Sequence, residues 1–148
     1  MRAYAERVVS LLEPPTDACL ASALTALGRF PTTQAAGQPP SVKTMDVFGA
    51  APASLKLPLN RKTTANDVQA VSLDRLEPSQ EFIPVAGLAA YISHSRRDCP
   101  DVAHVIHRDG RERWVIQEGH TRLGAAKLRG EPTKDARVWE FMEGPTGA

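Results

Sequence analysis

The segment Glu118-Gly119-His120-Thr121-Arg122 combines residue types that can bind a phosphate group and act on it. An arginine presents a planar fork to phosphate oxygens, and a histidine can transfer a proton near neutral pH. The glycine allows a tight turn and a close approach of the backbone to a ligand. Glu118 could hold a metal ion, polarise a water or simply pair with Arg122. We therefore predict a phosphate-binding turn, against the alternative that these side chains serve the fold alone.

A strand before this turn and a helix after it would hold the turn in a fixed position. Residues 113–116, Arg-Trp-Val-Ile, read as a strand, and residues 121–129 read as a helix that Gly130 ends. The first turn of a helix leaves amide N–H groups without intrahelical partners, and the helix dipole adds partial positive charge there. A strand, a glycine turn and a helix start together favour a bound phosphate.

Further elements are predicted on both sides of the turn. Pro84 opens a helical stretch that reaches Ile92, and Asp109-Gly110 is a strong hairpin signal. Strands are predicted at residues 68–73, 102–107 and 134–139. This mixture predicts an α+β fold. His104 and His107 fall on one of these strands, and we expect them to share a face, where with His120 they could form a histidine site or remain two polar surface residues.

Three blocks of this region resemble the ParB/sulfiredoxin superfamily. Residues 76–80, Leu-Glu-Pro-Ser-Gln, look like its opening L-x-P-x-Q turn. Residues 118–130 look like its D/E-G-x-x-R-L-x-A-A block with the glycine that comes after it, and residues 136–140 look like the next strand. The resemblance covers about residues 71–140 and implies a ParB/sulfiredoxin-like small mixed sheet with packed helices, as in stand-alone ParB-like nuclease-type proteins of plasmids and phages.

The resemblance also implies roles for particular residues. Gly119, His120, Thr121 and Arg122 would contact phosphates, and Gln80 would lie nearby on the opening turn. Hydrolysis would need charge stabilisation at phosphorus, from Arg122 and the helix start, and an activated water, from His120 or Glu118. Glu118, His120 and Arg122 are therefore the catalytic candidates for a ParB-like DNase or nucleotide hydrolase. Mg²⁺ with ATP or CTP is the expected cofactor, and no protein cluster of metal ligands is predicted.

Departures from the family narrow this expectation. Sulfiredoxins carry a cysteine within the turn, whereas here the turn has none and Cys99 lies well upstream. Partition proteins need a helix-turn-helix DNA reader and a dimerisation tail after this unit, and only a short stretch comes after Trp139, so we do not expect a complete partition protein. The arginine that usually comes after the opening glutamine is missing, because Gln80 precedes Glu81. We therefore expect a small ParB-like protein rather than a repair enzyme or a segregation clamp.

Charge does not select between nucleotide and DNA as the partner. The whole chain of 148 residues has a formal net charge of +1, and residues 71–140 hold 11 Lys and Arg against 11 Asp and Glu. Such a balance lacks the electrostatic footprint of a non-specific nuclease. The alternative is a non-catalytic scaffold of a phage particle or plasmid-encoded complex, which would use residues 1–66 for protein contacts or self-association.

The remainder of the chain divides into simpler parts. We expect a helical N-terminal extension at 1–29, a Pro/Gly-rich linker or arm at 30–66, the ParB/sulfiredoxin-like domain at 67–141 and a flexible tail at 142–148. Cys19 and Cys99 lack a C-x-x-C spacing and read as reduced thiols. There is no long apolar run and no signal peptide pattern, so we expect a cytoplasmic protein of a bacterium or a phage-infected host, with no membrane contact.

Overall fold

The protein has an α+β fold with two sheets. A computed structural model describes residues 17–53, 59–61, 68–93 and 99–143. The helices are α1 (Asp17–Gly28), α2 (Thr44–Phe48), α3 (Val85–Ser93) and α4 (His120–Leu128). The strands are β1 (Thr32–Thr33), β2 (Ser41–Lys43), β3 (Leu59–Arg61), β4 (Val68–Ser72), β5 (Leu76–Glu77), β6 (Phe82–Pro84), β7 (Asp101–Ile106), β8 (Glu112–Glu118) and β9 (Thr133–Glu143).

The larger sheet is mixed, and its longest described strand, β9, is also the last one along the chain. Its order is β3-β9-β7-β8-β5, and β4 pairs with β9 on the same edge as β3. β7 and β8 form the antiparallel hairpin, whereas β7 and β9 run parallel, as do β5 and β8. A parallel pair requires a crossover connection, and α4 supplies it between β8 and β9. The turn at Gly119 therefore lies where the hairpin ends and this crossover begins.

The helices cover one face of the larger sheet. In the central part of β7, β8 and β9, even-numbered residues point into this core because side chains alternate along a strand. Val102, Ile116 and Val138 are fully or almost fully buried there, together with Leu88 of α3 and Leu123 of α4. Burial of these aliphatic side chains is the main stabilising contribution that the described residues offer, since aromatic residues make up only 5% of the chain.

The smaller antiparallel sheet, β1-β2-β6, joins the same core through α4. Gly124 is the contact point: a Cβ atom built there would lie 3.1 Å from Leu88 Cδ2, 3.4 Å from Val47 Cγ1 and 3.6 Å from Ile83 Cδ1. α2, α3 and β6 therefore all approach α4 at a position where a larger residue would push them away. Lys127 of α4 adds a hydrogen bond from its Nζ to the Phe48 carbonyl at 3.1 Å.

The segment at residues 30–66, predicted to be a linker or arm, contributes to this core. Val42, Val47 and Phe48 are buried, and Val42 and Phe48 stand 0% and 3% exposed. Thr44 is also buried, and its Oγ1 donates to the Gln80 carbonyl at 2.6 Å. Prolines and glycines do interrupt the segment, but the short elements between them carry apolar residues that pack against α4. Elements of three to five residues are too short to show a clear hydrophobic periodicity, so they were not predicted.

The other predicted elements agree with the structure to within a few residues. α1 contains Leu20, Leu24 and Leu27, and α3 begins directly after Pro84. The hairpin turns at Gly110, and β9 continues to Glu143, beyond the predicted domain end at 141. The first predicted helix, around Val8 to Leu12, and the tail at 144–148 lie outside the described residues. Across the ranges that the structure describes, every helix is too short or too polar to cross a membrane.

Candidate functional site

Gly119 adopts a left-handed conformation that starts α4. Its φ is 94° and its ψ is 29°, a region that side-chain-bearing residues rarely adopt. A Cβ atom built on Gly119 would collide with the side chain of Pro100 and lie 3.1 Å from its Cα. The Leu123 N–H donates to the Gly119 carbonyl at 2.9 Å, which closes the first turn of the helix. Both the backbone conformation and the packing of Pro100 therefore require glycine at this position.

Arg122 folds back over this turn. Its Nη2 lies 3.3 Å from the position that a Cβ on Gly119 would occupy. The guanidinium is thus beside the helix start, where N–H groups and the dipole favour an anion. Thr121, half-buried, faces α3 instead: a Cβ atom on Gly87 would lie 3.1 Å from its Cγ2. The structure therefore places Arg122 at the turn and gives Thr121 a packing contact.

His120 is buried, with 4% of its surface exposed. Its Nε2 accepts a hydrogen bond from the Ser79 backbone N–H at 2.9 Å, so the ring is neutral and carries its proton on Nδ1. Burial lowers the pKa of His120 from 6.5 to about 4. Ser79 is itself held by a hydrogen bond from its Oγ to the Ile116 carbonyl. His120 thus ties the opening turn to α4 and β8, and its Nε2 is already occupied.

Gln80 and Glu118 are close in sequence to the two residues of the Ser79–His120 hydrogen bond. Gln80 is exposed and comes directly after Ser79, so it lies close to the start of α4. Its side chain contacts its own segment two residues further along the chain, where Nε2 donates to the Phe82 carbonyl at 2.9 Å. Glu118 is exposed at the end of β8. Of the predicted residues, Arg122 and Glu118 thus lie at the surface of the turn and His120 is buried inside it, whereas the side chains of Thr121 and Gln80 make other contacts.

The expected pairing of His104 and His107 on one face is wrong. The two residues are three positions apart, and a strand alternates with period two, so they point to opposite faces. His104 stacks on Trp114 with ring centroids 3.9 Å apart, and its Nε2 lies 3.1 Å from Glu112 Oε1. His107 instead contacts Glu143, with Nδ1 3.1 Å from Oε2. His104 and His107 do not form a site together with His120.

Arginines bracket the β7–β8 hairpin and could form a DNA-binding surface, but several arginines of this region pair with carboxylates of the same chain. Arg113 makes a two-pronged contact with Glu77, at 2.9 and 2.7 Å. Arg111 pairs with Asp109, and Arg129 with Glu131 at 2.7 Å. Arg96 and Arg97 lie outside the described residues. Within the ranges the structure covers, no three His, Cys, Asp or Glu side chains are grouped closely enough to hold a metal ion.

Two residues that complete the turn were not predicted as part of it. Pro100 packs against Gly119, and Ser79 supplies the N–H that His120 accepts. Ser79 lies within the L-x-P-x-Q motif, so the motif could have indicated a contact between Ser79 and the turn. No sequence pattern around Pro100 indicates its contact with Gly119. Pro100 constrains the backbone of the turn, and Ser79 holds the His120 ring with its backbone N–H.

Neither the comparison with protein-family models nor the search of curated proteins finds a match to this chain. The case for a function therefore rests on the geometry of the turn, on the charges around it and on the motifs of residues 71–140.

Proposed function

We propose that the protein is a ParB-like phosphate-binding protein that takes a nucleotide at the turn from Glu118 to Arg122. The observation that carries this proposal is the position of Arg122, whose guanidinium lies over a glycine with a φ of 94° at the start of a nine-residue helix. Backbone amides, helix dipole and guanidinium then act on the same small volume. The resemblance of residues 71–140 to the ParB/sulfiredoxin superfamily supports the same role.

A free nucleotide fits better than a long stretch of DNA. A DNA groove needs a row of cations to replace the counterions of many phosphates. Three arginines near the hairpin and α4 are instead engaged with carboxylates: Arg111 with Asp109, Arg113 with Glu77 and Arg129 with Glu131. A nucleotide needs only one strong anion site, which the turn supplies. Binding to DNA through its phosphates is the alternative, and titration with a DNA duplex measures it.

Titration of the full chain with CTP, ATP and tripolyphosphate in the presence of Mg²⁺ tests this proposal. Arg122→Ala should weaken all three by roughly ten- to a hundredfold, because a charge-assisted contact to phosphate is lost. Arg75→Ala, which removes an exposed arginine from the single turn of helix after β4, is the matched control and should leave affinity unchanged. Equal affinities of the wild type and Arg122→Ala, or weakening by both variants alike, would contradict the proposal.

Hydrolysis of the bound nucleotide is the second candidate function, and the exposed carboxylate of Glu118 beside the turn favours it. Mg²⁺ is usually held by one or two carboxylates together with the phosphates of the substrate, and Glu118 fits the first role. The ion would neutralise charge on the phosphates. Glu118→Gln should then abolish release of inorganic phosphate while retaining tripolyphosphate binding. Unchanged release in this variant would remove Glu118 from catalysis.

A further inference from the structure

A shallow depression adjoins the turn on the sheet face that points away from the helices. Its lining residues are Asp101, Gln117, Glu118, Trp139 and Phe141. Trp139 and Phe141 occupy positions of β9 on the face opposite to Val138, which lies in the helix-covered core. Because Glu118 is the first residue of the turn, the depression directly adjoins the turn.

The ring of Trp139 has a defined orientation in this depression. Its Nε1 donates to Asp101 Oδ1 at 3.2 Å, and Arg137 Nη1 lies 3.8 Å from the same oxygen. Trp139 is only half-buried. Phe141, beside it, packs on a small apolar cluster that includes Val105 and Val115. The tryptophan is thus held at one edge by Asp101 and is backed by a packed sheet.

The charges of the turn and of the depression have opposite sign. Arg122 and the helix start favour an anion, whereas the exposed carboxylate of Glu118 at the depression would repel one, and Asp101 there is paired with Arg137. Carboxylates accept hydrogen bonds, and the exposed amide of Gln117 can both accept and donate. A molecule that spans both places therefore needs an anionic end and an uncharged, planar end with N–H donors. A nucleotide with an amino-bearing base has this order of groups.

We propose that the depression is the base subsite of the nucleotide whose phosphates lie at the turn, an inference that rests on the proposed function. Trp139 stacks on the base, Asp101 positions the indole, and Gln117 contacts the edge of the base. The acceptor-only carboxylate of Glu118 at the rim favours adenine and cytosine, which carry an exocyclic amino group, over uracil and hypoxanthine, which present a carbonyl there. The base therefore adds affinity beyond that of the phosphates.

Tryptophan fluorescence tests whether the base stacks on Trp139, because the chain has only two tryptophans and each can be observed alone. In the full-length Trp114→Phe variant, Trp139 is the single reporter, and CTP and ATP should quench it whereas tripolyphosphate should not. In Trp139→Phe the reporter is Trp114, which stacks on His104 on the opposite face, and neither ligand should quench it. Quenching of Trp114 alone, or of neither reporter while CTP binds, would overturn the base subsite.

Affinity measurements test the base subsite separately from the proposed phosphate binding at the turn. Trp139→Leu should weaken ATP and CTP by roughly tenfold, since loss of base–aromatic stacking typically has an effect of this size, and should leave tripolyphosphate unchanged. Gln117→Ala, at an exposed position, provides a second variant should Trp139→Leu not fold. Phe82→Ala is the control for the other exposed aromatic near the opening turn, 39% exposed, and should have no effect.

The outcomes of these titrations count for or against the subsite in different ways. If tripolyphosphate and CTP bind equally tightly, the base subsite is wrong and the phosphate site stands. If Phe82→Ala rather than Trp139→Leu weakens ATP, the base lies on the other side of the turn. If neither tripolyphosphate nor any nucleotide binds, the proposed function fails and the subsite with it. Tighter binding of CTP and ATP than of UTP and ITP supports the amino-group preference.

Discussion

At the scale of single residues, Gly119 has two separate reasons to be glycine. Its φ of 94° strains any residue with a Cβ, and Pro100 occupies the place where that atom would be. Gly119→Ala should lower the free energy of unfolding by about 1–3 kcal/mol more than Gly110→Ala. Gly110 has a φ of 90° but nothing within 4 Å of its missing Cβ, so this control isolates the contact with Pro100. Equal losses in thermal denaturation would mean that Pro100 moves aside freely.

His120 makes stability depend on pH in a predictable direction. Its pKa is lowered in the folded protein to about 4, whereas an unfolded chain protonates near 6.5, so the unfolded state binds more protons between these values. The stabilising contribution of the neutral ring is complete above pH 6.5 and is lost as the pH falls toward 4. Protonation also removes the acceptor for the Ser79 N–H.

Chemical denaturation at several pH values between about 4 and 7 measures this dependence. His120→Gln keeps a side-chain acceptor and removes the titration, so its unfolding free energy should vary less with pH than that of the wild type across this window. The variant will be less stable near neutral pH, where the wild-type ring is uncharged and packed. An identical pH dependence in both proteins would show that other groups cause it.

At the scale of elements, the short helix α2 packs against α4 and so joins residues 41–48 to the rest of the core. Phe48 is 3% exposed, and Lys127 lies over its ring, with Nζ 5.9 Å from the centroid. Phe48→Ala should lower the free energy of unfolding by about 3–5 kcal/mol, as truncation of a buried aromatic does. Met45→Ala on the same helix, 45% exposed, is the matched control, with a change within about 0.5 kcal/mol. Urea denaturation of both variants measures the difference.

At the scale of the whole molecule, residues 41–48 complete the core that surrounds α4. Deletion of residues 1–66 removes Val42, Val47 and Phe48, and with them Ala23 and Leu27 of α1. We expect the truncated chain to lose cooperative thermal unfolding, and deletion of residues 1–16, which keeps every described element, to retain it. A cooperative transition in the larger truncation would show that residues 67–148 fold alone. The scaffold alternative, in which residues 1–66 make protein contacts, needs point variants rather than this deletion.

The local elements around the site could be predicted from the amino-acid sequence. Residues 102–107 and 113–116 read as strands and correspond to β7 and β8, alternation at residues 134–139 identified β9, and the order of strand, glycine and helix identified the turn. These patterns are readable because hydrogen bonding and dihedral preferences act between near neighbours. The residue set from Glu118 to Arg122, with Gln80 from the opening motif, came from the same short-range order and its resemblance to a family.

The contacts that each of those residues makes could not be predicted in this way, because they depend on the tertiary structure. It turned His120 inward onto the Ser79 N–H, set Pro100 against Gly119 and placed Trp139 beside Glu118. It also showed that residues 41–48 belong to the core rather than to a linker. These relations join positions that are far apart in the sequence, and they depend on which surfaces pack together. The turn from Glu118 to Arg122 is thus a local pattern, and its contacts are set by distant residues that pack around it.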